Sequence, residues 1–153
     1  MPGRSVGLRA AVSFDLAASD NPSMEAKATV AEMWRRLQAR DWDGLAELLA
    51  DDVVIDWPNT RQRIRGRASY LGFNRAYPEG WTIEVVNLFA DGSTVVSEVR
   101  VPHTGLGRFD LVSILEVEDG RVVRGREYWM DEVSEAVPPE RAAWLEPMSS
   151  ARH

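Results

Sequence analysis

The chain has 153 residues, is 44% hydrophobic and 27% charged, carries a formal net charge of −6 and contains no cysteine. That length and balance predict one globular domain burying roughly 70% of its unfolded surface. The missing cysteines exclude thiol nucleophiles, thiolate metal sites and a disulfide framework, and the acidic balance argues against a nucleic-acid partner, which needs a clustered positive surface.

No run of about 18 apolar residues reads as a membrane span. The nearest approach to a signal sequence, Val6 to Ala18, is interrupted by Arg9 and Asp15, so no membrane contact and a cytoplasmic location are expected. Residues 1–22 lack a sustained period and end in the turn pair Asn21-Pro22; they read as a disordered N-terminal tail, with Met24 an alternative start. Ala26, Val30, Met33, Trp34 and Leu37 then form one apolar stripe at helical spacing. Asp41 is placed to cap a second, shorter helix through Leu45, Leu48 and Leu49, which Asp51-Asp52 ends. Val53 to Trp57 is a short β-branched strand stopped by Pro58.

Arg61, Arg63, Arg65 and Arg67 alternate and read as a solvated loop. A third helix is expected from Gly66 to Tyr77, ended by Pro78. Four strands follow at about 81–90, 93–103, 108–118 and 121–131, with Asp91-Gly92 and Asp119-Gly120 as hairpin turns and Thr104 to Gly107 as a looser one. After Pro138-Pro139, the segment Ala142, Ala143, Trp144 and Leu145 is expected to pack back as a helical lid. The domain is thus expected over 23–133, with 134–153 a C-terminal extension.

Helices on one side of an antiparallel sheet define an α+β layer. The run Leu48 to Pro58, the Gly66-Arg67 helix start, and Asp119-Gly120-Arg121-Val122-Val123 through Arg126-Glu127-Tyr128-Trp129 resemble SnoaL-like and ketosteroid-isomerase-like proteins of the nuclear transport factor 2-like superfamily. The resemblance spans roughly residues 25–133. It implies a cone-shaped α+β barrel, with three N-terminal helices on a curved, mostly antiparallel sheet enclosing one pocket. It is specific for fold and open for function, since isomerases, dehydratases, cyclases, epoxide hydrolases and binders share this scaffold.

Strand alternation decides which side chains face that pocket. With Arg124 and Arg126 outside, Gly125, Glu127, Trp129 and Asp131 point inward; with Glu98 and Arg100 outside, Val95, Val99, Val101 and His103 point inward. The resemblance implies a pocket role for Trp129. The strand 108–118 is apolar on both faces; Val112 is placed inward, and Leu111, Ser113 and Leu115 outward. Ketosteroid isomerases carry their general base where this register puts Trp57, and their two oxyanion donors where it puts Met33 and Val112. Limonene-epoxide hydrolases carry an Arg and an Asp where Val99 and Val101 stand. Both catalytic sets are missing in this register; a one-residue slip would instead bring Asp56, Glu98 and Arg100 inward.

His103, Glu127 and Asp131 are therefore the candidate catalytic groups. Met33, Trp34, Trp57, Trp81, Asn87, Val99, Val101, Val112 and Trp129 are the candidate substrate-binding residues, with Asp56 a further polar candidate. A carboxylate or imidazole walled by indole rings is desolvated, which tunes it toward proton transfer near neutral pH. Two histidines, His103 and His153, offer no spaced ligand cluster, so no metal or other cofactor is expected. Two readings stand: a cofactor-independent acid/base enzyme acting on a small hydrophobic metabolite, or a non-catalytic binding or accessory domain. An apolar outer sheet face predicts a homodimer in either case.

Overall fold

A computed structural model describes residues 21–132 and 137–148. Of the expected tail over 1–22, residues 1–20 lie outside them, while Asn21 and Pro22 belong to the start of the first helix instead. Helix α1 (Pro22–Gln38) starts where the turn pair Asn21-Pro22 was expected. Asn21 Oδ1 accepts from the backbone N–H groups of Ser23 and Met24 at 3.1 and 3.4 Å, and Pro22 takes the first helical position, where its missing N–H costs nothing. Arg40, at φ 58°, reverses the chain, and Asp41 caps α2 (Trp42–Glu47) by accepting from Gly44 N at 3.0 Å.

Strand β1 (Leu49–Trp57) is four residues longer at its start than its β-branched core suggests. It pairs with two neighbours: β2 (Gln62–Arg65) on one side, antiparallel, and β6 (Arg121–Asp131) on the other, parallel. Of the alternating arginines, Arg63 and Arg65 therefore lie in a strand rather than a loop, Arg61 in the turn before it and Arg67 at the start of the next helix. Arg63 Nη2 donates to Asp56 Oδ2 across this hairpin at 2.8 Å, which places Asp56 on the outer face. Helix α3 (Arg67–Arg75) follows Gly66, and then come β3 (Glu84–Asp91), β4 (Thr94–His103) and β5 (Gly107–Glu118). The sheet order is β2-β1-β6-β5-β4-β3. It is mostly antiparallel and remains open at β2 and β3, so the expected barrel is an open sheet. Asp119-Gly120 forms the two-residue β5–β6 turn with φ 50° and 72°, as its sequence predicts.

α1 packs on β3 to β6 and α3 on β1 and β2. Beneath them the sheet's inner face is apolar: Val95 and Val99 of β4, Leu111 and Leu115 of β5, and Ile55 of β1 are each no more than 1% exposed. Each such side chain contributes ~1.5–3 kcal/mol by burial, and a one-residue slip would forfeit all of them together, so the register is strongly specified. β5 corrects the sequence reading: Leu111, Ser113 and Leu115 face the helices, and Val112 faces outward opposite Glu98 and Tyr128. Both faces of β5 are apolar, and alternation alone cannot orient such a strand.

The C-terminal segment contains a one-turn helix α4 (Pro139–Ala142), but Trp144, Leu145 and Met148 are 87%, 62% and 91% exposed. The expected lid does not close on this domain. Among the described residues no helix is long and apolar enough to cross a membrane.

Gly125, between β1 and β5, marks the tightest approach in the sheet. A Cβ there would lie 2.4 Å from Leu115 Cδ2 and 2.8 Å from the Ile114 carbonyl oxygen. The backbone oxygen cannot step aside without disturbing the ladder. Gly125→Ala is expected to cost about 1–3 kcal/mol, read as a lower denaturation midpoint; an unchanged midpoint would show that Leu115 repacks freely.

Candidate active site

A small cavity of about 30 Å³ lies between the helices and the inner sheet face. Trp34 and Leu37 reach it from α1, Tyr70, Asn74 and Tyr77 from α3 and the residues after it, Val101 and Trp129 from the sheet, and Trp81 and Ile83 from the segment before β3. Its volume is about one water's share of the liquid. A larger concavity of about 590 Å³ sits on the outer face, but its walls are the charged rows of Arg63, Arg65, Arg124 and Arg126 with Asp56 and Glu116, open to solvent. The smaller cavity is the candidate site, because two buried titratable groups adjoin it: Tyr70 lines it, and Glu127 is hydrogen-bonded to the wall residue Trp129.

Glu127 is the principal one, at 4% exposure. β6 places it directly opposite Ser113 and two residues before Trp129, whose indole Nε1–H donates to Glu127 Oε2 at 3.2 Å. Burial pushes its carboxyl up from 4.5 to about 7, while the indoles of Trp129 and Trp57, both turned toward it, favour the anion and oppose part of that shift. Among the described residues the Trp57 N–H stays short of full hydrogen-bond geometry and has no other partner, and no cation pairs with the carboxylate. Tyr70, 3% exposed, is raised by burial and by the nearby Glu127 charge, and among the described residues its hydroxyl has no hydrogen bond. Trp57 stacks edge-on to Phe73 at 4.9 Å and faces Trp129 at 6.3 Å, closing the far side.

A second buried polar group lies deeper. Trp34 Nε1–H donates to Ser97 Oγ at 3.1 Å, and the Ser97 and Ser113 hydroxyls bond to each other. Both serines are fully buried, so this chain satisfies polar groups that would otherwise penalise the core.

His103 is buried as well, but both ring nitrogens are engaged. Nδ1 accepts from Gly105 N at 3.0 Å, so Nε2 carries the proton and donates to the Pro78 carbonyl at 2.9 Å. The ring ties β4 to the loop before β3 and keeps no nitrogen for a substrate. Asp131 is exposed at the end of β6, near Tyr77, whose hydroxyl it raises together with burial. Of the three candidate catalytic residues, only Glu127 stands inside an aromatic enclosure.

Of the candidate binding residues, Trp34, Trp81, Val101 and Trp129 line the cavity, and Trp57 flanks Glu127. Met33 and Val99 are packed into the core at 1% exposure each. Two assignments are corrected. Asn87 is exposed on the outer face, donating to Glu98 Oε2 at 2.7 Å, because a bulge in β3 between Val85 and Asn87 changes the parity there. Val112 is on the outer face for the reason given above. Glu98 and Arg100 also stay outside, with Arg100 between Glu84 and Asp110 at 3.8 and 3.9 Å. Tyr70, Asn74 and Tyr77 were missed; their i, i+4, i+7 spacing on the third helix, toward the same side as Phe73, was the available signal.

Between pH 4.5 and about 7, Glu127 is protonated in the folded protein and ionised in the unfolded chain. The folded state binds the extra proton, so stability falls as pH rises through that interval, by up to about 3 kcal/mol, and levels off above it. The lowered carboxyls of Glu32, Asp56 and Glu79 act oppositely and at more acidic pH, where their native partners Arg35 and Arg36, Arg63, and Arg40 are lost on protonation. Glu127→Gln is expected to flatten the fall between pH 5 and pH 8 in urea denaturation; an unchanged slope would place the titration elsewhere.

Comparison with known proteins agrees with this architecture. The SnoaL-like domain family matches residues 30–125. The protein YesE of Bacillus subtilis (strain 168), itself uncharacterised, is 30% identical over 115 residues, 66% of this chain and 78% of that protein. Among solved structures, a candidate ketosteroid isomerase from Kribbella flavida superposes with a TM-score of 0.77 at 35% identity, covering 85% of this chain and 94% of that one. An LEH-like epoxide hydrolase of M. tuberculosis gives 0.62 at 27% identity, covering 71% of this chain and 84% of that one. With helices on one side of an open six-stranded sheet and a cavity between the layers, the chain belongs to the SnoaL-like family of the nuclear transport factor 2-like fold.

Proposed function

We propose that the protein is a cofactor-independent acid/base enzyme acting on a small hydrophobic molecule, with Glu127 as the proton-transfer group. One observation carries this reading: a carboxyl group buried among indole and phenol rings, with no counter-cation among the described residues and with its pKa raised by burial to about 7. A general base works best when its pKa lies close to the operating pH. In the ionised state Glu127 takes a proton from a C–H bond activated by a neighbouring oxygen substituent. The bonding pair shifts toward that oxygen, and Tyr70, which lines the cavity and whose hydroxyl has no hydrogen bond among the described residues, supplies a donor there. The same carboxyl returns the proton at another carbon. Isomerisation uses both steps, and dehydration and cyclisation use the first, the electron pair then expelling water from the next carbon or attacking a second carbonyl carbon. In epoxide opening the carboxylate would instead take a proton from the water that attacks the ring carbon, and the oxygen released from the broken C–O bond would take a proton from an acid.

The similarity to a candidate ketosteroid isomerase and to an epoxide hydrolase supports chemistry of this class. The base here stands on the last strand rather than the first. A cavity of about 30 Å³ favours a second reading, a domain that binds a small ligand without transforming it. Deuterium exchange separates the two. Incubation in heavy water with a panel of cyclic enones, ketones and epoxides should give wash-in of deuterium or turnover that rises with an inflection near pH 7. Glu127→Gln should lose a factor of about 10²–10⁴. Binding without exchange or turnover would leave the non-catalytic reading.

A homodimer through the outer sheet face is part of the same proposal. Phe89, Val96 and Ile114 are aligned across β3, β4 and β5, with Phe89 64% exposed, and Val112 and Tyr128 adjoin them. Charges of both signs surround this row, Arg124 with Glu116 and Glu118 on one side and Arg100 with Glu84 on the other, so opposite charges can meet across a two-fold axis. Ile114→Glu with Phe89→Glu is expected to convert a dimer to a folded monomer in light scattering across a dilution series. A wild-type protein that is monomeric at every concentration would end the idea.

A further inference from the structure

At about 30 Å³ the cavity holds a water and no organic molecule while its walls stay closed. Whichever wall yields therefore decides what reaches Glu127. Trp129 and Val101 stand on β6 and β4, and Trp34 and Leu37 are buried on the long helix α1. The Trp81 wall is tied down by Arg40, whose Nη2 donates to the Trp81 carbonyl at 2.7 Å and to Glu79 Oε2 at 3.0 Å, and by Thr104 N, which donates to the Gly80 carbonyl at 2.9 Å.

Tyr70, Asn74 and Tyr77, from α3 and the turn after it, make up the remaining wall, and their hold is weaker. The helix starts without a side-chain cap and buries only Tyr70. Its charged grips are peripheral: Arg67 Nη2 reaches Asp51 Oδ1 at 3.4 Å, on a side chain 93% exposed, and the Arg75 guanidinium lies 5.4 Å from the Trp42 ring centroid. Gly72 sits in the middle of the helix. A Cβ there would meet nothing within 4 Å, so no close approach calls for glycine, yet glycine shifts the helix–coil balance about fivefold toward the open form relative to alanine. Both ends are anchored, with Gly66 N donating to the Val53 carbonyl at 2.7 Å and His103 Nε2 to the Pro78 carbonyl at 2.9 Å. A weak helix between two fixed points opens as a local unit.

We propose that α3 is a lid over the Glu127 enclosure, opening between its Gly66 and Pro78 anchors to admit any ligand larger than a water and closing behind it. This rests on the reading of the cavity as the candidate site and adds the route by which that site is reached. As the helix lifts, Phe73 leaves its edge-on contact with Trp57 and the side of the enclosure that Trp57 closes is uncovered.

Hydrogen exchange of the full chain, followed by NMR with no ligand present, tests the lid. The Trp129 indole N–H is bonded to Glu127 inside the enclosure and the Trp57 indole N–H is buried, so solvent reaches either one only through an opening. The Trp34 indole N–H, bonded to Ser97 in the core, marks exchange that requires global unfolding. The α3 amides and the Trp129 and Trp57 indoles should exchange as one group, about tenfold or more faster than the Trp34 indole and the β5 amides. Gly72→Ala should slow that group about fivefold, and Phe73→Ala should speed it. If the two indoles exchange only at the rate of the β5 amides, or keep their rates in Gly72→Ala while the α3 amides slow, another wall or no wall opens and the lid is overturned, with the acid/base reading of Glu127 left standing. If the expected pattern appears and no enone, ketone or epoxide of the panel is turned over, the lid stands and the acid/base reading falls.

Discussion

The pairing of β5 with β6 fixes the positions on which the site depends. Leu111 faces Trp129, Ser113 faces Glu127 and Leu115 faces Gly125. Across these three steps the inner face passes from cavity wall to buried acid to closest backbone contact. Shifting β6 by one residue would bury Arg126 and Tyr128 and turn Glu127 to solvent, exchanging a neutral acid for a permanently charged guanidinium in the core. The large cost of burying an unpaired charge forbids the second arrangement, whereas a carboxyl group escapes most of it by taking a proton. Placing an ionisable group at the centre of this face therefore requires one that can become neutral, and Glu127 is such a group.

Neutrality has its own requirements. A protonated carboxyl still presents oxygens that need partners, and the neighbouring rings supply them as indole N–H groups rather than as cations. An arginine in place of Trp57 or Trp129 would pull the carboxyl back toward its ordinary acidity. The aromatic enclosure is thus electrostatic as well as hydrophobic. The Trp34, Ser97 and Ser113 chain follows the same rule one step deeper, satisfying an indole donor with hydroxyls instead of charges.

Much of this was legible in the sequence because the strongest signals are periodic. The α1 stripe, the Asp41 cap, the Asp119-Gly120 turn and the inward set on β6 were read from spacing alone, and the family resemblance rested on the same segments. What was misread lacked contrast or depended on pairing. β5 is apolar on both faces, so its parity became visible only once its neighbours were placed. The bulge in β3 moved Asn87 to the outer face, and the arginine-rich β2 has no apolar period because it is an edge strand whose side chains face solvent and Asp56. His103 kept its inward direction, but its engagement by Pro78 and Gly105 depends on a loop conformation that no local pattern encodes.

The walls around the cavity differ in how firmly they are held, and this bears on how anything larger than a water enters it. Trp129 is paired with Leu111 of β5 and its carbonyl accepts from Asn59 Nδ2 at 3.4 Å, and Trp81 is fixed by Arg40 and by the His103 bridge. Helix α3 has nine residues, no side-chain cap at its start, and one buried side chain, Tyr70. Its Phe73 is 45% exposed even though it packs on Trp57. Few buried apolar contacts mean a low free energy of local opening, so the enclosure is weakest along α3. Tyr70 rides on that element, and Glu127 and Trp81 stand on the elements that are pinned. Opening along α3 would thus give access to the Glu127 enclosure without displacing Glu127 itself.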